Sequence, residues 1–130
     1  MTTLDTQSKG IGGLADLAQT YFDAAYDMDA DKFAAIFHEA STVTRMGEND
    51  SVVVTPIAAW LDTVRAMKAP RQAGVERQDR IISINLARNM ALLQLRLRIP
   101  PREVTDLLSC FFINGRWRII QKVFEAEPLG

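Results

Sequence analysis

The strongest constraint on this chain lies in residues 103 to 126, where two apolar, alternating segments meet at Asn114-Gly115. Asn-Gly is the preferred pair for a two-residue type I′ turn, because both central residues need a positive φ. A hairpin closed by that turn has a fixed register. Ile113 opposes Arg116, Phe112 opposes Trp117, Phe111 opposes Arg118, and Asp106 opposes Val123. Side chains alternate between faces along a strand. One face then carries Val104, Asp106, Leu108, Cys110 and Phe112, joined by Trp117, Ile119, Gln121 and Val123. Asp106 and Gln121 are the polar members of an otherwise apolar face. A carboxylate there is costly unless it is paired, solvated in a pocket, or used.

The segments before the hairpin have their own periods. Leu14, Leu17, Ala18, Tyr21, Phe22, Ala25 and Met28 recur at helical spacing, with Gly12 and Gly13 as breakers ahead of them. Asp29 is placed to cap a short second helix with Phe33, Ile36 and Phe37 as its apolar stripe, ending near His38. Thr42 to Met46 and Ser51 to Val54 form a short hairpin around Gly47-Glu48-Asn49-Asp50. Thr55-Pro56 opens a third helix that buries Ile57, Trp60, Leu61, Val64 and Met67. A strand over Val75 to Leu86 places Ile82, Ile84 and Leu86 on one face. The next strand alternates Ala91, Leu93, Leu95, Leu97 and Ile99 with Leu92, Gln94, Arg96 and Arg98. Three helices followed by a strand meander predict an α+β fold, with the helices packed on one face of a mostly antiparallel sheet.

Charge and cysteine content narrow the function classes. The formal net charge of −1 leaves no electrostatic footprint for a nucleic acid. No apolar run approaches the roughly 20 residues needed to span a bilayer. Cys110 is the single cysteine, so no internal disulfide or multi-cysteine zinc site can form. These features predict a cytoplasmic protein with no cofactor and no metal. Residues 1–13 are expected to be a flexible tail, without the basic-then-apolar pattern of a signal segment, and 14–130 a single domain.

Three stretches resemble the nuclear transport factor 2-like superfamily. The first is Tyr21-Phe22-Asp23 with Met28-Asp29-Ala30-Asp31. The second is Ile36-Phe37-His38-Glu39-Ala40. The third runs from Thr105-Asp106-Leu107-Leu108-Ser109 through Asn114-Gly115-Arg116-Trp117-Arg118-Ile119 to Lys122-Val123-Phe124. The last is similar to the ending of the subgroup called putative lumazine-binding proteins, near the polyketide cyclase-like and ketosteroid isomerase-like members. The resemblance implies a cone in which a curved sheet wraps three N-terminal helices and leaves a pocket. Glu39-Ala40 stands where the family usually has Pro-Asp, so no aspartate is available for chemistry at that step. The fold hosts enzymes, carriers and dimerisation modules, so it does not by itself choose an activity.

Several residues are candidates for that pocket. Asp106 points into the cone with Gln121 beside it, either as a general acid or base with a raised pKa or as a structural carboxylate. His38, the only histidine, can shuttle protons or cap carbonyls at a helix-to-strand junction. Tyr26 can polarise a carbonyl with its hydroxyl or sit with its ring in the core. Trp60 closes the core or the pocket wall, and Cys110 is a buried apolar residue. Structural roles are preferred for Asp106 and His38. Two functions follow. One is a module that binds a small apolar ligand or only dimerises. The other is an enzyme transferring a proton on a small carbonyl-bearing or cyclic ligand, with Asp106 as base and His38 or Tyr26 assisting. The opposite sheet face interleaves Leu107, Phe111, Ile113, Ile120 and Phe124 with arginines, the pattern of a homodimer surface.

Overall fold

The computed structural model describes residues 6–129. Helix α1 spans Ile11–Asp27 and buries Leu14, Leu17, Ala18, Tyr21, Phe22 and Ala25, the stripe that its spacing predicts. It starts earlier than the glycines suggest: Gly12 and Gly13 lie inside its first turn. Gly13 is needed there, because a Cβ would overlap the carbonyl of Ser8. The segment ahead of the helix is tied to the far end of the chain. Gln7 donates its backbone N–H to the Gly115 carbonyl at 2.8 Å, and its side-chain oxygen accepts from the Trp117 N–H at 2.7 Å. Of the expected tail, residues 1–5 lie outside the described residues.

Helix α2, Ala30–Ile36, is capped by Asp29, whose carboxylate accepts from the Lys32 N–H at 3.1 Å. Strand β1, Phe37–Met46, turns through Gly47 to Asp50 into strand β2, Val52–Pro56. Helix α3, Ile57–Ala66, begins after Pro56, which ends β2 and holds the N-cap position, so Thr55 lies within the strand and does not cap the helix. Four strands follow: β3 Arg80–Ala87, β4 Met90–Ile99, β5 Arg102–Ile113 and β6 Arg116–Pro128.

The six strands form one open sheet in the order β2-β1-β6-β5-β4-β3. All neighbours are antiparallel except β1 and β6, which run parallel. The three helices cover one face. Leu93, Leu95, Leu97, Val104, Leu108, Trp117 and Ile119 from the sheet pack with Leu14, Leu17, Tyr21, Phe33 and Val64 from the helices. Burying one such side chain contributes about 1.5–3 kcal/mol. β3 is shorter than its apolar pattern implies and is largely exposed as an edge. Ile82 is the extra residue of a bulge between Ile81 and Ser83, which breaks the expected alternation with Ile84 and Leu86.

The closing hairpin departs from simple alternation at one residue. Ile113–Arg116, Phe112–Trp117 and Phe111–Arg118 pair as the Asn-Gly turn requires, with Asn114 at φ 51° and Gly115 at φ 84°. Cys110 opposes Ile119, but Ser109 opposes Gln121, so Ile120 has no partner in the ladder. From that bulge onward every β6 side chain changes face. Asp106 opposes Phe124 and not Val123. Lys122 is buried and Phe124 half-buried on the inner face, while Gln121 and Val123 are exposed on the outer one.

Candidate functional site

Between α1, α3 and the inner sheet face lies a cavity of about 480 Å³. Apolar side chains supply most of its wall, among them Met28, Phe33, Val43, Trp60, Val64 and Phe124. Pro100, Pro101, Arg102 and Ala126 also line it, as do Arg45 and Thr55. Tyr21 and Lys122 supply polar groups to the same wall. This is the usual form of a ligand pocket, apolar with a few convergent polar groups.

The polar centre is a buried set of three side chains. α1 directs Tyr21 inward, β5 directs Asp106 inward, and the bulge in β6 turns Lys122 to meet them. The Tyr21 hydroxyl donates to Asp106 Oδ2 at 2.8 Å. Lys122 Nζ lies 3.7 Å from Asp106 Oδ1, an ion pair beyond hydrogen-bond length. Asp106 is 1% exposed and Lys122 6% exposed. The ammonium also rests over aromatic rings, 4.3 Å from the Trp60 centroid and 4.9 Å from that of Phe124. Lys122 lines the cavity and Asp106 does not, so the lysine stands between the carboxylate and the open space.

Burial sets the electrostatics of this group. It pushes the Asp106 carboxyl up against the opposing pull of Lys122 and Tyr21, and pushes the Lys122 ammonium down against the attraction of Asp106. Burial, and then the charge of Asp106, holds the Tyr21 phenol well above the ordinary tyrosine range. This has a measurable consequence. The folded chain keeps a proton on Tyr21 that the unfolded chain releases near pH 10. The stability from Tyr21 is therefore complete below that pH and is lost as pH rises through the folded pKa. In a Tyr26→Phe variant, the remaining phenolate absorbance should appear only as near-ultraviolet circular dichroism is lost. Phenolate formed in the folded protein would contradict it.

The other candidates lie elsewhere. Gln121 is on the outer face, because the bulge exchanges it for Lys122. The Tyr26 hydroxyl donates to the Val75 carbonyl at 2.9 Å, and its ring is covered by Arg71 and Arg77. It faces the loop before β3 and does not line the cavity. His38 sits on β1, where Nδ1 accepts from the Ala40 N–H at 3.0 Å. It lies within the register shift between Phe37 and Thr42. Asp106, His38 and Tyr26 therefore do not converge. Trp60 lines the cavity. Cys110 is buried, with its thiol pushed up to about 12 by burial, as its apolar setting implies. Tyr21 and Lys122 are the members missed in the sequence. Tyr21 reads as an ordinary core position on the helix stripe, and Lys122 reads as solvent-facing until the bulge is known.

Among the described residues, no group of three or more His, Cys, Asp or Glu side chains could hold a metal ion, and no helix is long and apolar enough to cross a membrane.

An open six-stranded sheet with three helices over one face and an apolar cavity between them defines the nuclear transport factor 2-like class. The chain belongs to the family described as "Putative lumazine-binding", whose sequence profile matches residues 10–125. A nuclear transport factor 2-like protein of unknown function from Shewanella baltica OS155 shares the fold with a TM-score of 0.81 and 16% identity, over 90% of this chain and 93% of that one. Another of unknown function, from Methylobacillus flagellatus KT, gives a TM-score of 0.77 and 21% identity, over 98% and 99% of the two chains. A protein described as a putative ketosteroid isomerase, from Kribbella flavida DSM 17836, gives 0.54 and 14%, over 88% and 78%. At these identities the likeness is one of fold alone. No curated protein matches the chain.

Proposed function

We propose that this protein is a cytoplasmic homodimer that binds a small, largely apolar molecule in the cone. The observation that carries the reading is the cavity of about 480 Å³ beside Trp60, Tyr21 and Lys122. A cone filled by its own side chains would have suited a bare dimerisation module. The proton-transfer alternative has less support. Asp106 accepts from Tyr21 through Oδ2 alone, Lys122 stands between the carboxylate and the cavity, and His38 and Tyr26 make their hydrogen bonds elsewhere.

The outer sheet face supports the dimer. Leu107, Phe111 and Val123 are each more than a third exposed, next to Met90 and Leu92. Ile120 lines a groove of about 430 Å³ on this side with Phe111 and Leu92. Val123 takes the place expected for Phe124, which the bulge turns into the cavity. Ile113 stays half-buried beside the turn.

An apolar fluorescent probe such as 1-aminoanthracene tests the pocket. It should bind one molecule per chain, and Ala126→Phe at the cavity rim should weaken it about tenfold, or roughly 1.4 kcal/mol. Binding that is absent, or indifferent to that substitution, would remove the reading.

A further inference from the structure

We propose that Lys122 is a carbonyl-condensing amine, forming an imine with an apolar aldehyde or ketone held in the cavity. This rests on the pocket reading above and names the ligand chemistry of the same site.

The placement of Lys122 is unusual for a lysine. Of the four lysines in the chain, Lys9, Lys32 and Lys68 are exposed or half-buried, and Lys122 alone is buried. A lysine serving only as a counter-ion would need to face Asp106. Lys122 does that and also lines the open cavity. The apolar wall suits an uncharged organic ligand, and the aromatic rings around Nζ disfavour a competing cationic one, since that position is already filled by the protein's own ammonium.

Asp106 supplies the proton traffic. Its Oδ2 is held by Tyr21, whereas Oδ1 is buried without a hydrogen-bond partner and faces Nζ at 3.7 Å. Oδ1 takes one proton from the ammonium and leaves a neutral amine. The Nζ lone pair attacks the carbonyl carbon, the C=O π pair moves to oxygen, and a proton passes from nitrogen to that oxygen to give the carbinolamine. Asp106 then returns its proton to the hydroxyl, the C–O bond breaks, and water leaves as the nitrogen lone pair forms the C=N bond. The balance is an ammonium and a carbonyl giving a protonated imine and water, with no oxidant or reductant. The product keeps one positive charge beside Asp106, so the buried carboxylate is never stranded at either end of the sequence. Burial disfavours the ammonium and the carboxylate alike, so it favours passing the proton from Nζ to Oδ1.

The test uses the whole chain, benzaldehyde and cyanoborohydride at pH 7, followed by peptide mapping of each lysine. An exposed lysine has only about one part in 10³ of free amine at that pH. Lys122 should be benzylated at least ~10-fold faster than Lys68, and benzyl alcohol, which fits the cavity but cannot condense, should protect Lys122 and leave Lys68 unaffected. At pH 10 the preference should shrink, because the surface amines are then free. Labelling of Lys122 no faster than that of Lys68 at pH 7 would overturn the proposal. If benzyl alcohol still binds in that case, the imine falls and the pocket stands; if it does not bind, both fall.

Discussion

Replacing Asp106 with alanine is expected to destabilise the protein by about 3–5 kcal/mol, the usual cost of stranding one partner of a buried ion pair. The change leaves the Lys122 ammonium without its counter-charge and the Tyr21 hydroxyl without its acceptor. A domain of this size has a stability of only about 5–15 kcal/mol, so the variant should approach unfolding at ambient temperature. The ion pair itself need not be stabilising, since attraction is set against desolvation of both groups. Asp106→Leu combined with Lys122→Met should therefore recover most of the loss while removing the polar centre of the cavity. Urea unfolding of the single and double variants measures this directly. A single variant within about 0.5 kcal/mol of the parent, the range of ordinary surface changes, would show that Asp106 and Lys122 do not form a buried pair.

The second large effect concerns the outer face. Phe111→Glu should convert the proposed dimer to monomer at micromolar concentration. Phe111 is 47% exposed in the isolated chain and stands amid Met90, Leu92 and Leu107. An interface with that patch at its centre would bury an unpaired carboxylate. Loss of a central aromatic contact alone costs about 2 kcal/mol or more, which is near 30-fold in dissociation constant. The same substitution should leave folding intact, because the side chain points away from the core. Sedimentation or light scattering checks both points. A parent chain that is monomeric, or a variant of unchanged mass, would exclude this surface as the dimer contact.

The element order, the helix stripes and the turn were legible in the chain because each is a local pattern. Asp29 caps its helix, and Asn114-Gly115 sets the neighbouring pairs as far as Cys110 and Ile119. The site was only half legible. Asp106 could be found because it interrupts an apolar alternation on β5, a strand without a bulge in its pairing with β4. Its partners could not. Tyr21 is 85 residues away in the chain, and nothing in a helix stripe marks which tyrosine will find a distant acceptor. Lys122 depends on Ile120, a single unpaired residue. The adjacent isoleucines Ile119 and Ile120 are the one hint that the alternation changes phase there. A period of two has no means of expressing an inserted residue, and one insertion exchanges every side chain beyond it. The same event moved Gln121 and Val123 outward and Phe124 inward, so it redrew the pocket and the proposed dimer face together.

That phase change is the centre of the account, and side-chain nuclear Overhauser contacts test it most directly. With Lys122 turned into the cone, its ε-methylene protons should show contacts to the indole ring of Trp60 and the ring of Tyr21, while the Gln121 side-chain amide shows none to either. Contacts from Gln121 to those rings, with Lys122 free of them, would place the hairpin in unbroken alternation and contradict the site described for Lys122.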